Sequence, residues 1–193
     1  MSKVNIVTVS PQDPDTLSLL ASSLRQKCNE VPINVIGTSE FHKLVAMMFE
    51  IMYENDGAGL AAPQIGIQWR LATIHPADNS IDPTVVINPI VKFQSNEEEE
   101  GIEACLSIPN YYGYVSRPKE VVVESLNLRG EIQTHELEGW LARLFLHEID
   151  HLEGILYPLR MRDKEELIYQ TVYAKKAQAI VEKLSGTEFS NTK

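Results

Sequence analysis

Three things are scarce in this chain of 193 residues: long apolar runs, positive charge and cysteine. No uninterrupted apolar stretch approaches the roughly 20 residues a helix needs to cross a bilayer, so no membrane span is expected. The opening MSKVNIVTVSPQDPD turns acidic and proline-bearing before the apolar core of a secretory signal could form. A cytoplasmic location is the expectation. Lys and Arg number 17 against 27 Asp and Glu, a net charge of −10, which argues against a nucleic-acid substrate because phosphate binding relies on clustered cations. Only from Arg160 onward does the balance reverse, with seven basic against five acidic residues. Such a tail suits docking on an anionic surface, although a solvated helix face is the commoner explanation. The two cysteines, Cys28 and Cys105, form no CxxC pair. A disulfide framework is excluded, leaving at most one bridge or a thiolate ligand.

What is present is the composition of an ordinary globular domain, 44% apolar and 23% charged, long enough for one core over residues 1–193 and too short for two. Leu17, Leu20 and Leu24 have helix-compatible spacing within 14–30, ending before Val31-Pro32. Thr38-Ser39-Glu40 offers caps for a second helix in which Phe41, Leu44, Val45, Met48, Phe49 and Met52 share one face, ending near Asn55-Asp56-Gly57. Strands are expected over Trp69–His75, Thr84–Asn88, Val91–Gln94, Tyr112–Ser116, Glu120–Leu126 and Ile132–Glu136. The acidic run at 97–100 reads as an exposed turn, since adjacent carboxylates prefer water. A third helix spans Glu138 to about Leu152 with Gly154 as its stop, and Asp163 caps a last one from Lys164 to about Leu184. The expected class is α+β, a mixed or antiparallel sheet packed around the central helix, with a C-terminal helix over 163–185.

That central helix carries LFLHEIDHLEG. His147 and His151 lie one turn apart and project from the same face, so both imidazoles can converge on one ion. Glu148 lies about 100° around the axis, where it can exchange a proton with water at that ion. A hydrolytic site of this kind needs a third ligand and an open position. No histidine follows His151, so the downstream candidates are Glu165 and Glu166, as in a zinc peptidase. Upstream, Cys105 in EACLS offers a thiolate. A third stretch, GAGLAAPQ, contains Gly57, Ala58 and Gly59, which let backbone approach a bound chain, and Gln64, an amide suited to a developing oxyanion.

Together the three stretches resemble the peptide deformylase family, whose blocks GxGLAAxQ, EGCLS and HExDHLxG recur here in order as GAGLAAPQ, EACLS and HEIDHLEG, over about Val31 to Leu159. The first thirty residues lie outside that resemblance. It implies hydrolysis of the formyl group from N-formylmethionyl nascent peptides, with Cys105, His147 and His151 as metal ligands and Glu148 as proton shuttle. It also implies that Gln64 and the backbone N–H of Leu106 hold the oxyanion, and that Arg117 pairs with Glu103. Trp140 and Leu144, on the face of the first histidine, are candidate walls for the methionine side chain; backbone near Gly59 and Ala104 is a candidate edge for pairing with the peptide. The family implies Fe2+, with Zn2+, Ni2+ or Co2+ able to occupy the same ligands, and a ribosome contact through the C-terminal helix. Two positions depart from the pattern: Ala104 replaces a glycine, and Leu146 stands where glutamine commonly precedes the first histidine. They motivate a third possibility beside deformylase and peptidase, a peptide-binding homologue with impaired catalysis.

Overall fold

The computed structural model describes residues 5–8, 21–162 and 168–169. Most of the first expected helix lies outside these, and what is described of it is α1 (Ala21–Leu24). The second forms as its spacing dictates: α2 (Ser39–Glu54) begins where Thr38 Oγ1 accepts the Phe41 N–H at 3.3 Å. It buries Phe41, Val45, Met48, Ile51 and Met52 against Val31, Leu60 and Ile87.

Five strands form one antiparallel sheet in the order β1-β2-β3-β6-β7: β1 (Gly59–Ala61), β2 (Leu71–Ile74), β3 (Thr84–Gln94), β6 (Glu120–Leu126) and β7 (Ile132–Glu138). The two strands expected on either side of Asn88-Pro89 are one strand with a bulge. The register of β3 on β6 shifts between Ile87 and Ile90, Asn88 takes a positive φ of 49°, and its side-chain amide bonds the Val31 backbone at 2.8 and 3.0 Å. A proline beside a turn-forming asparagine looks like a strand end in sequence; here the side chain supplies the pairing that the ladder loses.

A second sheet holds β4 (Glu98–Cys105), β5 (Ile108–Pro118) and β8 (Ile168–Tyr169). Of the acidic run only Glu97 lies in the connection between β3 and β4, and the other three glutamates belong to a strand. Glu98, Glu99 and Glu100 pair with Pro118, Arg117 and Ser116 and remain exposed, so their carboxylates keep their water while the backbone enters the ladder. The strand also runs through EACLS, and Cys105 pairs with Ile108 around a tight turn at Leu106 and Ser107. The expected helix from Lys164, on which the ribosome contact depends, lies largely outside the described residues. Its two described members, Ile168–Tyr169, are extended and pair with Tyr112 and Tyr111, where the edge of β5 offers backbone groups that need partners.

Between the sheets lies α3 (Gly139–Leu152), in which every residue from Ala142 to Leu152 is buried. It follows β7 without a loop, because Gly139 at φ 56° turns the chain directly from strand into helix. At about 100° per residue, Ala142, Phe145, Leu146, Ile149 and Leu152 fall on one arc and Arg143, His147, Asp150 and His151 on the other. The apolar arc packs on the five-stranded sheet: Ala142, Leu146 and Ile149 against Val121 and Val123, and Phe145 and Leu152 against Ala72, Ile74 and Val86. Leu146 thus belongs to the core. Restoring glutamine there (Leu146→Gln) would place an amide among apolar side chains, and is expected to lower stability by about 1–3 kcal/mol. Urea unfolding should report that loss, while turnover per folded molecule should be unchanged.

Candidate metal centre

The polar arc of α3 faces the β4–β5 hairpin, and there the sequence's three separated blocks meet. Cys105 Sγ, His147 and His151 bring one ligand atom each to within 4.8 Å of one another, all buried, with Cys105 Sγ 3.2 Å from His151 Nε2. His147 Nδ1 is committed to Glu103 Oε2 at 2.9 Å, which leaves Nε2 for the centre. Burial raises the Cys105 thiol, but the neighbouring imidazoles of His151 and His147 outweigh burial and lower it to about 5. Burial likewise opposes charge on His147, yet its hydrogen bonds to Cys105 and Glu103 raise it well above the usual histidine range. The cluster thus already favours a thiolate facing positive charge. One thiolate and two imidazoles, converging and buried, are a donor set that a divalent ion of intermediate softness fits.

Glu148 stands beside them. Burial pushes its carboxyl up to about 7, against the lowering influence of His147 and His151, so it can both take and return a proton near neutrality. Its Oε2 is buried without a hydrogen-bond partner among the described residues. Gly59 is what makes room for it: a Cβ there would collide with the Glu148 carboxylate. Gln64 is fixed at both ends, its Oε1 accepting the Ala61 N–H at 2.8 Å and its Nε2 donating to Ser107 Oγ at 3.2 Å and to Cys105 Sγ at 3.6 Å. Its donor end therefore faces the thiolate, and its carbonyl faces away.

The group opens into a cleft of about 760 Å³ whose wall includes Gly57, Ala58, Ala104, Leu106, Trp140 and Leu144. All the expected peptide-binding residues share that wall. Trp140 is half exposed and Leu144 buried, so the first is a free apolar surface and the second is also part of the core. Asn5, Ile6 and Thr8 line the cleft as well, held by the Val7 N–H on the Gln64 backbone carbonyl at 2.7 Å.

The expected Glu103–Arg117 pair is present as a fork, Nε to Oε1 at 2.8 Å and Nη2 to Oε2 at 2.9 Å. Sequence reasoning missed its neighbours. Arg143 Nη1 reaches Glu103 Oε1 at 3.1 Å and the Val115 carbonyl at 2.7 Å, and Asp150 Oδ2 accepts Arg117 Nη1 at 2.6 Å. Arg143 signalled itself only by position, four before His147 on its own face of the helix; Asp150, three after it, is the aspartate of HEIDHLEG, but the block gave no hint of its partner. Ser107 is the serine of EACLS, but nothing in that block assigned it a partner.

Residues 14–167 match the family model described as polypeptide deformylase, so the match begins inside the segment that the motif blocks left uncovered. A peptide deformylase of Desulfitobacterium hafniense is 43% identical over 134 residues, 69% of this chain and 85% of that protein. Among solved structures, the peptide deformylase of Thermotoga maritima superposes with a TM-score of 0.69 at 35% identity, covering 82% of this chain and 99% of that one. A class I type b peptide deformylase from Acinetobacter baumannii, solved with Met-Ala-Ser bound, gives 0.72 at 32% identity over 83% of this chain and 100% of that one.

Two outcomes follow from the geometry. Burial alone would raise the Glu103 carboxyl, but hydrogen bonds from Arg117 and His147 hold it down at about 2. Its stabilising contribution is then complete above the unfolded carboxylate value and lost as pH falls toward 2, a change of roughly 3 kcal/mol. Denaturant unfolding between pH 5 and pH 2 should show that slope in the wild type and less of it in Glu103→Gln. Separately, Gly59→Ala should displace Glu148 while leaving the three candidate ligands in place, so that metal content by elemental analysis stays at the wild-type level and turnover falls about tenfold or more, the effect expected if Glu148 takes part in the chemistry.

Proposed function

The chain belongs to the polypeptide deformylase family, metal-dependent hydrolases that remove the formyl group from the N-terminus of newly made peptides, and from that premise we propose which of its residues perform the reaction. Cys105, His147 and His151 hold the ion, with Fe2+ as the native metal and the cytoplasm as the site of action. When bound, a divalent ion polarises the formyl oxygen and acidifies water. Glu148 takes the proton of the attacking water and returns it to the departing amine, a cycle that its elevated carboxyl suits. Gln64 Nε2 and the Leu106 N–H at the hairpin turn stabilise the oxyanion. Glu103 keeps the His147 ring oriented through Nδ1, and Arg117 and Arg143 keep Glu103 ionised and in place.

The substrate reading follows the cleft. Leu144 and the exposed ring of Trp140 offer an apolar surface beside the metal donors for the first side chain, and the backbone near Gly59 and Ala104 offers an edge for the peptide that follows. The Met-Ala-Ser held by the Acinetobacter baumannii protein supports a cleft that takes peptides beginning with methionine. Ala104 points its methyl to the exposed side of β4 and Leu146 lies in the core, so neither departure touches the ligands or Glu148. That favours a competent enzyme over a binding homologue.

The observation that carries the reading is the convergence of Cys105 with the two histidines beside a buried carboxylate oxygen that has no partner among the described residues. A zinc peptidase would instead draw its third ligand from Glu165 or Glu166. Formate release from formyl-Met-Ala by anaerobically purified iron protein is the test. Glu148→Ala should reduce it by about 10²–10⁴-fold with metal retained, and Cys105→Ala should lose the metal. Retention of metal by Cys105→Ala would favour the peptidase.

A further inference from the structure

The buried ion pairs that begin at His147 do not end at Arg117. Asp150, which takes Arg117 Nη1 at 2.6 Å, is itself held by a second guanidinium, Arg160, through Nε to Oδ2 at 3.1 Å and Nη2 to Oδ1 at 2.7 Å. The side chains of Arg117 and Asp150 are 6% and 8% exposed, whereas that of Arg160 is 45% exposed. Arg160 follows the short 3₁₀ turn Tyr157–Leu159 and is not among the residues of the cleft wall. A half-exposed arginine paired with one aspartate would ordinarily be an unremarked surface bridge worth little. Its partner here is not at the surface.

We infer that Arg160 is a positioning residue for the metal centre, acting through Asp150, Arg117 and Glu103 on the His147 ring. The argument is geometric. A guanidinium is planar, so its donors cannot be aimed independently. Three donors of Arg117 are committed, two to Glu103 and one to Asp150, and the attitude of Asp150 therefore fixes the plane in which Glu103 is held. Glu103 Oε2 is shared between Arg117 Nη2 and His147 Nδ1, so any tilt of that plane is passed to the ring that presents Nε2 to the ion. The fork from Arg160 occupies both Asp150 oxygens and removes the carboxylate's freedom to rotate. Because Arg143 holds Glu103 independently, the loss of Arg160 loosens the ring and does not free it. Arg160 also lies in the segment that leaves α3, and the competing account is that it only straps this segment to the helix.

The inference rests on the metal site proposed above, and cobalt-loaded protein tests it with readouts other than turnover: the thiolate-to-cobalt charge-transfer band and the rate of metal release to a chelator. Arg160→Ala should release cobalt about tenfold faster, at the low end of what loss of an outer-shell partner does, with a displaced band. Arg160→Lys, which keeps the charge but gives up the fork, should release it about threefold faster. In an Asp150→Asn background, where the link is already weakened, Arg160→Ala should add little, because effects along one path are not additive. Unchanged release and an unchanged band in Arg160→Ala, or the same fold increase in both backgrounds, would reduce Arg160 to a strap. Should Arg160→Ala fail to fold, wild-type release from Arg160→Lys would overturn the inference equally. A wild-type protein that takes up cobalt with no thiolate band would remove the metal-site reading itself, and this inference with it.

Discussion

Everything at the centre of this protein leans on one carboxylate. Glu103 is buried, and four hydrogen bonds reach it from Arg117, Arg143 and His147. Taken out of water alone, a carboxylate would accept a proton or destabilise the fold by several kcal/mol. Held this way it stays ionised, and the same bonds tie together β4, which supplies Glu103 and Cys105, β5, which supplies Arg117, and α3, which supplies the histidines. The structure therefore spends its buried charge on register. It is the orientation of the hairpin relative to the helix that these pairs specify, and the candidate metal donors come from those two elements.

The helix itself is unusual in being enclosed on all sides. A helix of this length with every residue from Ala142 onward buried would ordinarily be apolar all round; this one is apolar over only part of its circumference. The rest is largely polar: Arg143, His147 and Asp150 find partners among the hairpin's side chains and carbonyls, while Glu148 Oε2 and His151 Nδ1 are left without one among the described residues. That division explains why substitutions on the two arcs should behave differently. Changes among Leu146, Ile149 and Phe145 should act on stability, whereas changes among His147, Glu148 and Asp150 should act on the proposed chemistry and on the alignment of the candidate ligands.

Much of this was legible in the sequence because it is local. The four-residue spacing of His147 and His151 fixes their common face, and Thr38 followed by periodic apolar residues fixes α2. The three blocks, taken as a set, pointed to one site, and Cys105, His147, His151, Glu148, Gln64 and the Glu103–Arg117 pair all converge there. The misreadings came where tertiary pairing overrules local preference. Glutamates 98–100 look like a turn because charge avoids the interior, but a strand face open to water accepts them once the backbone has a partner in β5. Asn88-Pro89 looks like a strand end because the side-chain bonds that carry the bulge reach Val31, 57 positions away in sequence. Arg143 and Arg160 were invisible for a similar reason, and Asp150, although a letter of its block, gave no sign of its role: a charged residue announces nothing about its partner, and theirs come from other elements or from the far side of a turn.

The absence of any loop between β7 and α3 bears on how such a chain can change over time. Insertions and deletions are ordinarily absorbed in connecting segments, but Glu138 is the last residue of a strand and Gly139 the first of the helix. One residue gained or lost at that junction would either shift β7 by a register step on β6 or rotate the helix by about 100°. The first would exchange the two faces of β7, and the second would turn both histidines from the hairpin together. Length variation is thus closed to this junction, and divergence there is confined to replacing one side chain by another.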